Sequence, residues 1–308
     1  MPPSSSNEPI ALAPSMIEAI SRAHAFAPAA TPIILYGESG TGKTFFAEFI
    51  HQVSERPGGF HAFSLGIVPT SLAADELFGH VSGAFTDAHK VRAGRIASAG
   101  SGTLLLDDLH TLDLGVQKQL LQVLDRGTYS AVGGDRVQTV ACRMVFAMTE
   151  DPDTLMTKGL LLRDLRYRFG ECGIAIPALR ERRGEIPLHA QRVLQRCVEW
   201  TKIEGPIKFS EAALALLCEA EYDGNVRQLE GIVLRSFLIA RYCGACQIDV
   251  EHLPPQLTPR LLYRRHGDLE ANRMLVERVL RITGGNVKKA AQLLGVSRPT
   301  INAARRRR

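Results

Sequence analysis

Residues 37–44 read GESGTGKT, and this glycine-rich pattern constrains the fold more than any other part of the chain. The apolar run PIILYG (32–37) leads into it and suits a buried strand, while TFFAEFIHQV (44–53) follows with helical spacing. In the pattern G-x-x-x-x-G-K-T, glycines let backbone N–H groups turn toward phosphate oxygens at a helix N-terminus. The sequence therefore predicts a strand–loop–helix unit that binds a nucleoside triphosphate. The predicted binding residues are Gly37, Glu38, Ser39, Gly40, Thr41, Gly42, Lys43 and Thr44.

Two consecutive carboxylates stand near the end of a second apolar run, GTLLLDDLH (102–110). Lys43 is expected to reach the β- and γ-phosphates, and the Thr44 hydroxyl to hold Mg²⁺ with support from Asp107. Asp108 is the candidate that polarises the attacking water. An acidic loop at a strand end is the alternative interpretation, which the nearby phosphate loop disfavours.

Strand-like runs alternate with helical patterns up to about residue 172, which predicts an α/β fold with a parallel sheet. Beyond that residue the strand signals fade, and a smaller all-helical domain is expected. The proline-rich stretch EHLPPQLTP (251–259) indicates a linker. The predicted organisation is a flexible N-terminus at 1–14, an α/β subdomain at 15–172, a helical subdomain at 173–250, a linker at 251–265 and a DNA-binding domain at 266–308.

Composition limits the class of protein. Hydrophobic residues make up 45% of the chain and charged residues 22%, as in an ordinary globular protein. No apolar run approaches the ~18 residues of a membrane span, and the N-terminus lacks the features of a signal peptide. We therefore expect a cytoplasmic protein without a membrane partner. The scattered cysteines, including the lone pair Cys243 and Cys246, predict reduced thiols rather than a zinc site.

The positive charge of the chain is concentrated at its C-terminal end. Residues 281–308 hold eight basic and no acidic residues, so the net charge of +5 becomes 5 − 8 = −3 for residues 1–280. This asymmetry predicts a polyanion partner for the C-terminal segment. A solubilising tail is the alternative, and the motif within the segment disfavours it.

That motif is a helix-turn-helix pattern, in which NVKKAAQLLG and SRPTINAARRRR are joined by a turn at Gly295. Ala290 and Leu294 are expected to pack inward, while Ser297 caps the second helix and Pro299 fits its first turn. A purely structural three-helix bundle is the alternative. The predicted DNA-binding residues are Lys288, Lys289, Ser297, Arg298, Thr300, Asn302 and Arg305; Arg298, Thr300 and Asn302 suit base edges, and the lysines and terminal arginines suit phosphates.

The stretch ELFGHVSGAFTDA (76–88) has no regular period that would bury Phe78 or Phe85. Together with the phosphate loop and the acid pair, it resembles one family, the bacterial enhancer-binding proteins, which are NtrC-type AAA+ activators of sigma-54 RNA polymerase. The resemblance covers about residues 12–308. It implies an AAA+ P-loop NTPase with a helical lid subdomain and a C-terminal Fis-type domain that binds enhancer DNA as a dimer. Since the family's regulatory domain has no counterpart in the 14 residues before the core, we expect control from a partner protein, from expression level or from altered catalytic residues.

The family resemblance also assigns residues. The family's GAFTGA loop contacts sigma-54 and moves with the nucleotide state, which implies sigma-factor contacts at Gly83, Ala84, Phe85, Thr86, Asp87 and Ala88. LLRDLRYRFG (161–170) resembles the segment whose arginines reach the neighbouring subunit of an ATP-dependent ring, a hexamer in the family. Arg163 and Arg168 match those positions, and Arg227 in YDGNVRQLE (222–230) matches the arginine that faces the nucleotide from the lid.

Four departures from the family pattern lie at functional positions. Asp108 stands where the family has glutamate, so its carboxylate is shorter by about one bond, ~1.5 Å. Ser64 and Thr149 stand where the family has asparagines near the γ-phosphate, and Asp87 replaces a glycine. We expect nucleotide binding to be largely intact and hydrolysis to be slow.

Three functions fit these residues. The first is a sigma-54-dependent activator that uses ATP and Mg²⁺ in a ring. The second is a weakly catalytic ATP- and DNA-binding regulator that co-assembles with an active related activator. The third, a replication or transposition AAA+ protein, is disfavoured by GAFTDA.

Overall fold

The computed structural model describes residues 8–85, 88–170, 172–201, 208–254, 257, 276–277, 279–281, 283–294 and 296–306, with only the backbone at 292–293 and 304–306. The chain divides into two compact units, the first ending at Glu181 and the second beginning at Arg182.

The first unit is an α/β structure. Its strands are β1 (Ile33–Tyr36), β2 (Phe60–Ser64), β3 (Gly79–His80), β4 (Arg92–Ala93), β5 (Thr103–Asp107), β6 (Thr128–Ser130), β7 (Val137–Thr139), β8 (Arg143–Met148) and β9 (Gly173–Ala175). Its helices are α1 (Pro14–Phe26), α2 (Lys43–Val53), α3 (Thr70–Phe78), α4 (Arg95–Ser98), α5 (Leu114–Arg126), α6 (Pro152–Thr157) and α7 (Arg163–Arg168).

Five of these strands form a parallel sheet in the order β2-β5-β8-β1-β9. Successive side chains of a strand point to opposite faces, and the apolar residues of β5 accordingly divide between two cores. Leu104 and Leu106 pack with α3 and α5 on one face, whereas Leu105 packs with α1 and α2 on the other. The sheet is therefore covered on both sides, which fits the continuous apolar runs of its strands.

The register of the sheet brings the predicted site together. Ser64 pairs with Asp107, and Tyr36 pairs with Met148. Since the strands are parallel, the segments that follow β1, β5 and β8 meet at one edge, next to the end of β2. Ligands of open α/β sheets bind at this edge.

The second unit is mainly helical. Its elements are α8 (Ile186–Thr201), β10 (Lys208–Phe209), α9 (Glu211–Glu219), α10 (Asn225–Tyr242), β11 (Gln247–Ile248), α11 (Val287–Leu294) and α12 (Arg298–Arg306). The last two helices share a small core with Val276, Val279 and Leu280, and this core includes Ala290, Leu294 and Ile301. This confirms the inward positions predicted for Ala290 and Leu294, while Gly295 lies outside the described residues.

The predicted domain boundaries need correction at two places. The boundary at residue 172 falls too early, because β9 follows it and pairs with β1, with Ile174 beside Leu35 in the sheet. A three-residue strand is too short for periodicity to reveal. The flexible segment predicted at 1–14 extends too far, since Ile10 is buried and α1 begins at Pro14.

No helix within the described ranges combines the length and apolar character needed to cross a bilayer.

Candidate functional site

The phosphate loop joins β1 to α2 and uses the conformations that glycine allows. Gly40 and Gly42 have φ values of 77° and 101°, in the left-handed region. Lys43 is buried, and its Nζ donates hydrogen bonds to the carbonyl oxygens of Gly37 at 2.7 Å and Glu38 at 3.1 Å. The ammonium group is therefore held within the curve of the loop, where a phosphate would lie.

The N-terminus of α2 is open toward this loop. Gly42 is its N-cap; no side chain caps the helix, and its first turn contains no acidic residue. The first N–H groups of a helix have no partners within it and carry the positive end of its dipole. Thr44 is exposed in this first turn. These features fit the phosphates of a nucleotide beside Lys43.

Asp107 and Asp108 stand at the end of β5 with different surroundings. Asp107 Oδ1 accepts a hydrogen bond from the Asp108 N–H at 3.0 Å. Asp108 has φ 60° and ψ 40°, a left-handed conformation that Asp adopts more readily than most residues. Its Oδ2 lies 3.5 Å from Ser64 Oγ, and a Cβ placed on Gly66 would come within 3.2 Å of that oxygen. The Asp108 carboxylate therefore points toward the end of β2.

The predicted magnesium ligands have suitable chemistry. The Thr44 hydroxyl and the Asp107 carboxylate are hard oxygen donors, and Mg²⁺ usually binds one or two protein groups together with substrate phosphates and waters. Among the residues that the structure describes, no group of three or more His, Cys, Asp or Glu side chains could hold a metal ion by itself. All six cysteines are free thiols.

Thr149 follows β8 and contacts a residue that the sequence reading did not single out. Its Oγ1 lies 3.4 Å from Nε2 of His110, which belongs to the short 3-10 turn Leu109–Thr111 after Asp108. The neighbouring carbonyl of Met148 accepts a hydrogen bond from the Gly37 N–H at 3.3 Å. Thr149 therefore lies beside the start of the phosphate loop.

The GAFTDA turn is fixed at its base to two short β-pairs, β3–β4 and β6–β7. The Val81 N–H donates to the Val132 carbonyl at 3.2 Å, and the Val132 N–H donates to the Gly79 carbonyl at 2.8 Å. Gly83 has φ 84°, and its N–H closes the turn by donating to the Ala88 carbonyl at 2.7 Å. The turn is thus connected by backbone bonds to the loop between β6 and β7.

The two phenylalanines of this stretch have opposite environments. Phe78 ends α3 and is buried in the core, so the expectation that it lacked cover is wrong. Phe85 is 43% exposed, and its ring makes a T-shaped contact with the His80 ring, with centroids 4.9 Å apart. Ala88 is buried, Ala84 is half-buried, and Thr86 and Asp87 lie outside the described residues. Among the described residues of this turn, Phe85 is therefore the large apolar side chain that is exposed to a partner.

A cluster of charges supports the base of the turn. His80 Nδ1 lies 2.5 Å from Asp75 Oδ1, and Arg92 lies 3.1 Å from the other oxygen of that carboxylate. Arg92 and Arg95 both donate to Glu76. Burial would raise the pKa of Glu76, but these two hydrogen bonds bring the pKa below its usual value. The cluster joins β3 and β4 to α3 and α4.

The two arginines predicted to act on a neighbouring subunit lie on α7 and are exposed. Arg163 places its guanidinium 5.5 Å from the centroid of the Tyr167 ring. Arg168 donates to the Leu124 carbonyl at 2.7 Å and pairs with Asp125 at 3.0 Å. Both side chains lie at the surface of the first unit, and α5 orients the second of them.

The predicted DNA-binding residues occupy α11 and α12. Lys288, Arg298 and Asn302 are exposed, Thr300 is half-buried, and only the backbone of Arg305 is described. Ser297 Oγ accepts a hydrogen bond from the Thr300 N–H at 3.4 Å and lies 2.8 Å from Thr300 Oγ1, as expected of a helix cap.

Lys289 makes a contact that the sequence did not predict. It is exposed, and its Nζ lies 3.1 Å from Asp249 Oδ2. Burial would raise the pKa of Asp249, but hydrogen bonds from the Val250 N–H, Ser210 and Lys289 hold the pKa below its usual value. Lys289 is therefore already paired with a carboxylate of its own unit.

Three family profiles match consecutive parts of the chain. The sigma-54 interaction domain matches residues 10–175, the AAA+ ATPase lid domain matches 180–266, and the Fis family of bacterial regulatory proteins matches 270–307. The first match spans more than half of the chain.

The chain belongs to the sigma-54 interaction domain family. Its fold is the α/β AAA+ fold with a lid domain and a C-terminal helix-turn-helix domain. The chain is 38% identical over 242 residues to the Nif-specific regulatory protein of Rhizobium meliloti (strain 1021), covering 76% of this chain and 44% of that protein. It is 33% identical over 297 residues to the transcriptional regulatory protein ZraR of Escherichia coli (strain K12), covering 94% and 66%. The chain thus spans about half the length of the curated relatives it matches.

A solved structure supports the fold assignment for this sigma-54 interaction domain protein. NtrX from Brucella abortus in complex with ADP superposes with a TM-score of 0.76 at 23% identity, covering 97% of this chain and 69% of that chain. This likeness concerns the fold. Arg227 lies exposed near the start of α10 in the second unit, and its predicted role toward the nucleotide stays a prediction.

Sequence reading missed functional neighbours that only the fold brings together. Arg180 forms a two-pronged pair with the Glu38 carboxylate of the phosphate loop, with Nη1 to Oε2 at 2.7 Å, across 142 residues of sequence. His110 contacts Thr149, and His80 contacts Phe85. The only local signal is polarity at positions next to predicted site residues, which is too weak to identify a partner.

Proposed function

We propose that this chain is a sigma-54-dependent transcriptional activator that binds enhancer DNA and uses ATP in a ring oligomer to remodel sigma-54 RNA polymerase. The observation that carries the proposal is the combination, within one α/β unit, of a phosphate loop with an exposed phenylalanine turn. Both lie within the stretch that matches the sigma-54 interaction domain. Because polymerase and DNA are in the bacterial cytoplasm, the proposal implies a cytoplasmic location.

The nucleotide chemistry follows from the residues at the sheet edge. Lys43 and the N–H groups at the start of α2 bind the phosphates, and Arg180 steadies the loop through Glu38. Bound Mg²⁺, held through Thr44 and Asp107, supplies charge neutralisation for the β- and γ-phosphates. Asp108 accepts a hydrogen bond from the attacking water and orients it.

Hydrolysis is slow in this proposal because the groups that face the γ-phosphate are short. The Asp108 carboxylate lies 3.5 Å from Ser64 Oγ, and its side chain is one methylene shorter than the glutamate of the family. A misplacement of about 1 Å costs on the order of a hundredfold in rate. Binding is unaffected, since the phosphate loop is complete.

Arg163 and Arg168 complete the site of a neighbouring subunit. A guanidinium supplied in trans stabilises the charge that develops on the transferring phosphate. Both side chains are exposed on α7, where a second copy could accept them. Activity therefore requires assembly of the ring.

The turn around Phe85 carries the contact with sigma-54. Gly83, with φ 84°, provides the conformation that the turn requires, and the exposed ring of Phe85 supplies the apolar contact. Asp87 adds a Cβ and a charge where the family has glycine. An Asp87→Gly variant should bind sigma-54 at least as well; if the change abolishes binding, Asp87 is a specific contact.

The C-terminal helix-turn-helix domain binds enhancer DNA. Arg298, Thr300 and Asn302 reach base edges from α12, while Lys288, Lys289 and Arg305 contact phosphates. To contact a phosphate, Lys289 must leave Asp249 or interact with both the Asp249 carboxylate and the phosphate.

The test is transcription in vitro from a sigma-54 promoter with an upstream enhancer, using the purified chain as the only activator. Transcript that requires ATP is the expected result. Lys43→Ala should lower the amount of transcript at limiting ATP by weakening ATP binding, and Phe85→Ala should abolish the transcript while ATP hydrolysis continues. Failure to bind sigma-54 with or without an ATP transition-state analogue would overturn the proposal.

The shortened residues at the γ-phosphate favour one second candidate. In that case the chain is a weakly catalytic regulator that binds ATP and DNA and joins a ring with an active related activator. The partner would then supply the glutamate that Asp108 replaces. Transcript that appears only when a second activator is added would select this candidate over the first.

A further inference from the structure

His110 lies between the segment of the proposed catalytic carboxylate, Asp108, and the phosphate loop. It lies in the 3-10 turn that begins after Asp108, and the Thr111 N–H and hydroxyl both donate to the Asp108 carbonyl, at 2.9 and 2.8 Å. Its Nε2 is 3.4 Å from Thr149 Oγ1. Thr149 in turn adjoins Met148, whose carbonyl is bonded to the first N–H of the phosphate loop, that of Gly37. The imidazole thus connects the Asp108 segment to the loop through one hydroxyl.

The surroundings of the imidazole assign its proton. His110 Nδ1 is fully buried and has no hydrogen-bond partner among the described residues. A buried N–H without an acceptor is rarer than a buried acceptor without a donor. Nδ1 is therefore the bare nitrogen, and Nε2 carries the proton and donates it to Thr149 Oγ1. This is the neutral tautomer in which the two nitrogens have opposite roles.

The direction of that bond fixes what Thr149 can do. A hydroxyl has one donor and can accept two hydrogen bonds. When Nε2–H occupies one acceptor position, the Thr149 hydroxyl keeps its proton for another acceptor. Within the described residues the structure gives this hydroxyl no other hydrogen bond than the one with His110. Since Thr149 lies beside the phosphate loop, the terminal phosphate of bound ATP would accept the hydrogen bond from the Thr149 hydroxyl.

We infer that His110 is a positioning residue for ATP hydrolysis, which orients the Thr149 hydroxyl as a donor to the terminal phosphate. The inference rests on the proposed ATPase function. A threonine has a single rotating donor where an amide would have two fixed ones, and preorganised donors contribute most of the electrostatic stabilisation of developing charge. His110 restores the orientation that the shorter side chain lacks. The long N···O distance of 3.4 Å is of the kind that tightens when a substrate completes a site.

The first test is a double-mutant cycle measured by steady-state ATP hydrolysis. His110→Ala should lower kcat about five- to tenfold and leave KM for ATP within about twofold, as expected when an oriented hydrogen bond made in the transition state is lost. Thr149→Val should also lower kcat, and adding His110→Ala to it should change kcat by less than about twofold. Equal losses in both backgrounds, or a change confined to KM, would overturn the inference.

A conservative variant of His110 and a control variant of another histidine distinguish a positioning role from a purely structural one. His110→Gln keeps an N–H donor at similar reach, so it should retain kcat within about threefold of the unmodified chain. The control is His51→Ala, because His51 Nδ1 makes a similar contact of 2.9 Å with Thr103 Oγ1 at the opposite end of β5. Its kcat should be unchanged. If His110→Gln falls as far as His110→Ala while both melt like the unmodified chain, the inference is wrong.

The tautomer offers a readout that does not need catalysis. Ring-nitrogen chemical shifts of ¹⁵N-labelled histidine should show the Nε2–H form for the resonance that disappears in His110→Gln. An Nδ1–H form contradicts the inference even if ATP is hydrolysed. A chain that shows the Nε2–H form but no ATP hydrolysis, alone or in a ring, would refute the proposed function instead.

Discussion

The two sides of the candidate nucleotide site contrast in completeness. On the phosphate-loop side, Lys43 is buried with two hydrogen bonds of 2.7 and 3.1 Å, and Glu38 is bound by Arg180. On the γ-phosphate side, Ser64 and Asp108 approach only to 3.5 Å, and Thr149 approaches His110 to 3.4 Å. The phosphate-loop side is therefore held by short hydrogen bonds. The γ-phosphate side consists of short side chains whose contacts are long.

This difference indicates that binding and hydrolysis depend on separate residues here. The phosphate loop acts on groups present in the ground state of ATP, whereas the residues near the γ-phosphate act on charge that develops during the reaction. Interactions that exist only in the transition state determine kcat. Substitutions on the two sides should therefore move different kinetic parameters.

The largest effect is expected for the arginines on α7. Arg163→Ala and Arg168→Ala should each lower kcat in the assembled ring by on the order of a thousandfold, because an arginine finger contributes at least that much. Equilibrium binding of ATP should not change. Arg166→Ala is the matched control on the same helix, since Arg166 is bonded to Asp153 of its own subunit. An equal loss in Arg166→Ala would point to damage to α7 instead.

Asp108→Glu should raise kcat on the order of a hundredfold, because the added methylene advances the carboxylate by ~1.5 Å toward the γ-phosphate. The effect should appear in single-turnover hydrolysis and leave ATP affinity unchanged. A variant that binds ATP normally and hydrolyses no faster would show that Asp108 is not the limiting group.

Lys43→Ala tests the other side of the contrast. Hydrogen bonds to charged groups contribute about 1.5–3 kcal/mol, so ATP affinity should fall roughly ten- to a hundredfold. Equilibrium titration with a fluorescent ATP analogue measures this directly. If Lys43→Ala reduced only the rate of hydrolysis and not the affinity for ATP, binding and hydrolysis would not depend on separate residues.

The smallest effect is expected for Ser64→Asn. The longer amide can donate to the Asp108 carboxylate in place of the 3.5 Å contact from Ser64 Oγ, and exchanging a long hydrogen bond for a shorter one changes the free energy by ~0.5–1.5 kcal/mol. We expect kcat to rise about threefold and KM to stay constant. Combined with Asp108→Glu, the gain should depart from additivity, because the two side chains are in contact.

The parts of the fold that sequence could predict are those with strong local patterns. The buried strands β1, β5 and β8, the phosphate loop and the inward residues of α11 follow from apolar runs and glycine spacing. The two-residue strands of β3–β4 and the three-residue strand β9 are too short to generate a period. Their positions depend on pairing partners distant in sequence, such as β1 for β9.

The residues of the candidate site also divide into those that a local sequence pattern predicts and those that only the fold brings together. Residues that belong to a continuous motif, such as Lys43 and Asp107, were predictable. Contacts such as Arg180 with Glu38 and His110 with Thr149 form only when the chain folds, because they join segments 142 and 39 residues apart. The burial of Phe78 was hidden for a related reason, since it depends on the short helix α3 ending at the core.

The most direct measurement is the turnover of the unmodified chain at saturating ATP, with bound ATP quantified in the same sample. An intact phosphate loop beside a shortened γ-phosphate side predicts full ATP occupancy with turnover well below the ~1 s⁻¹ at which the usual enzyme range begins. Turnover of about 10 s⁻¹ or more, or a failure to bind ATP, would contradict this division between binding and hydrolysis.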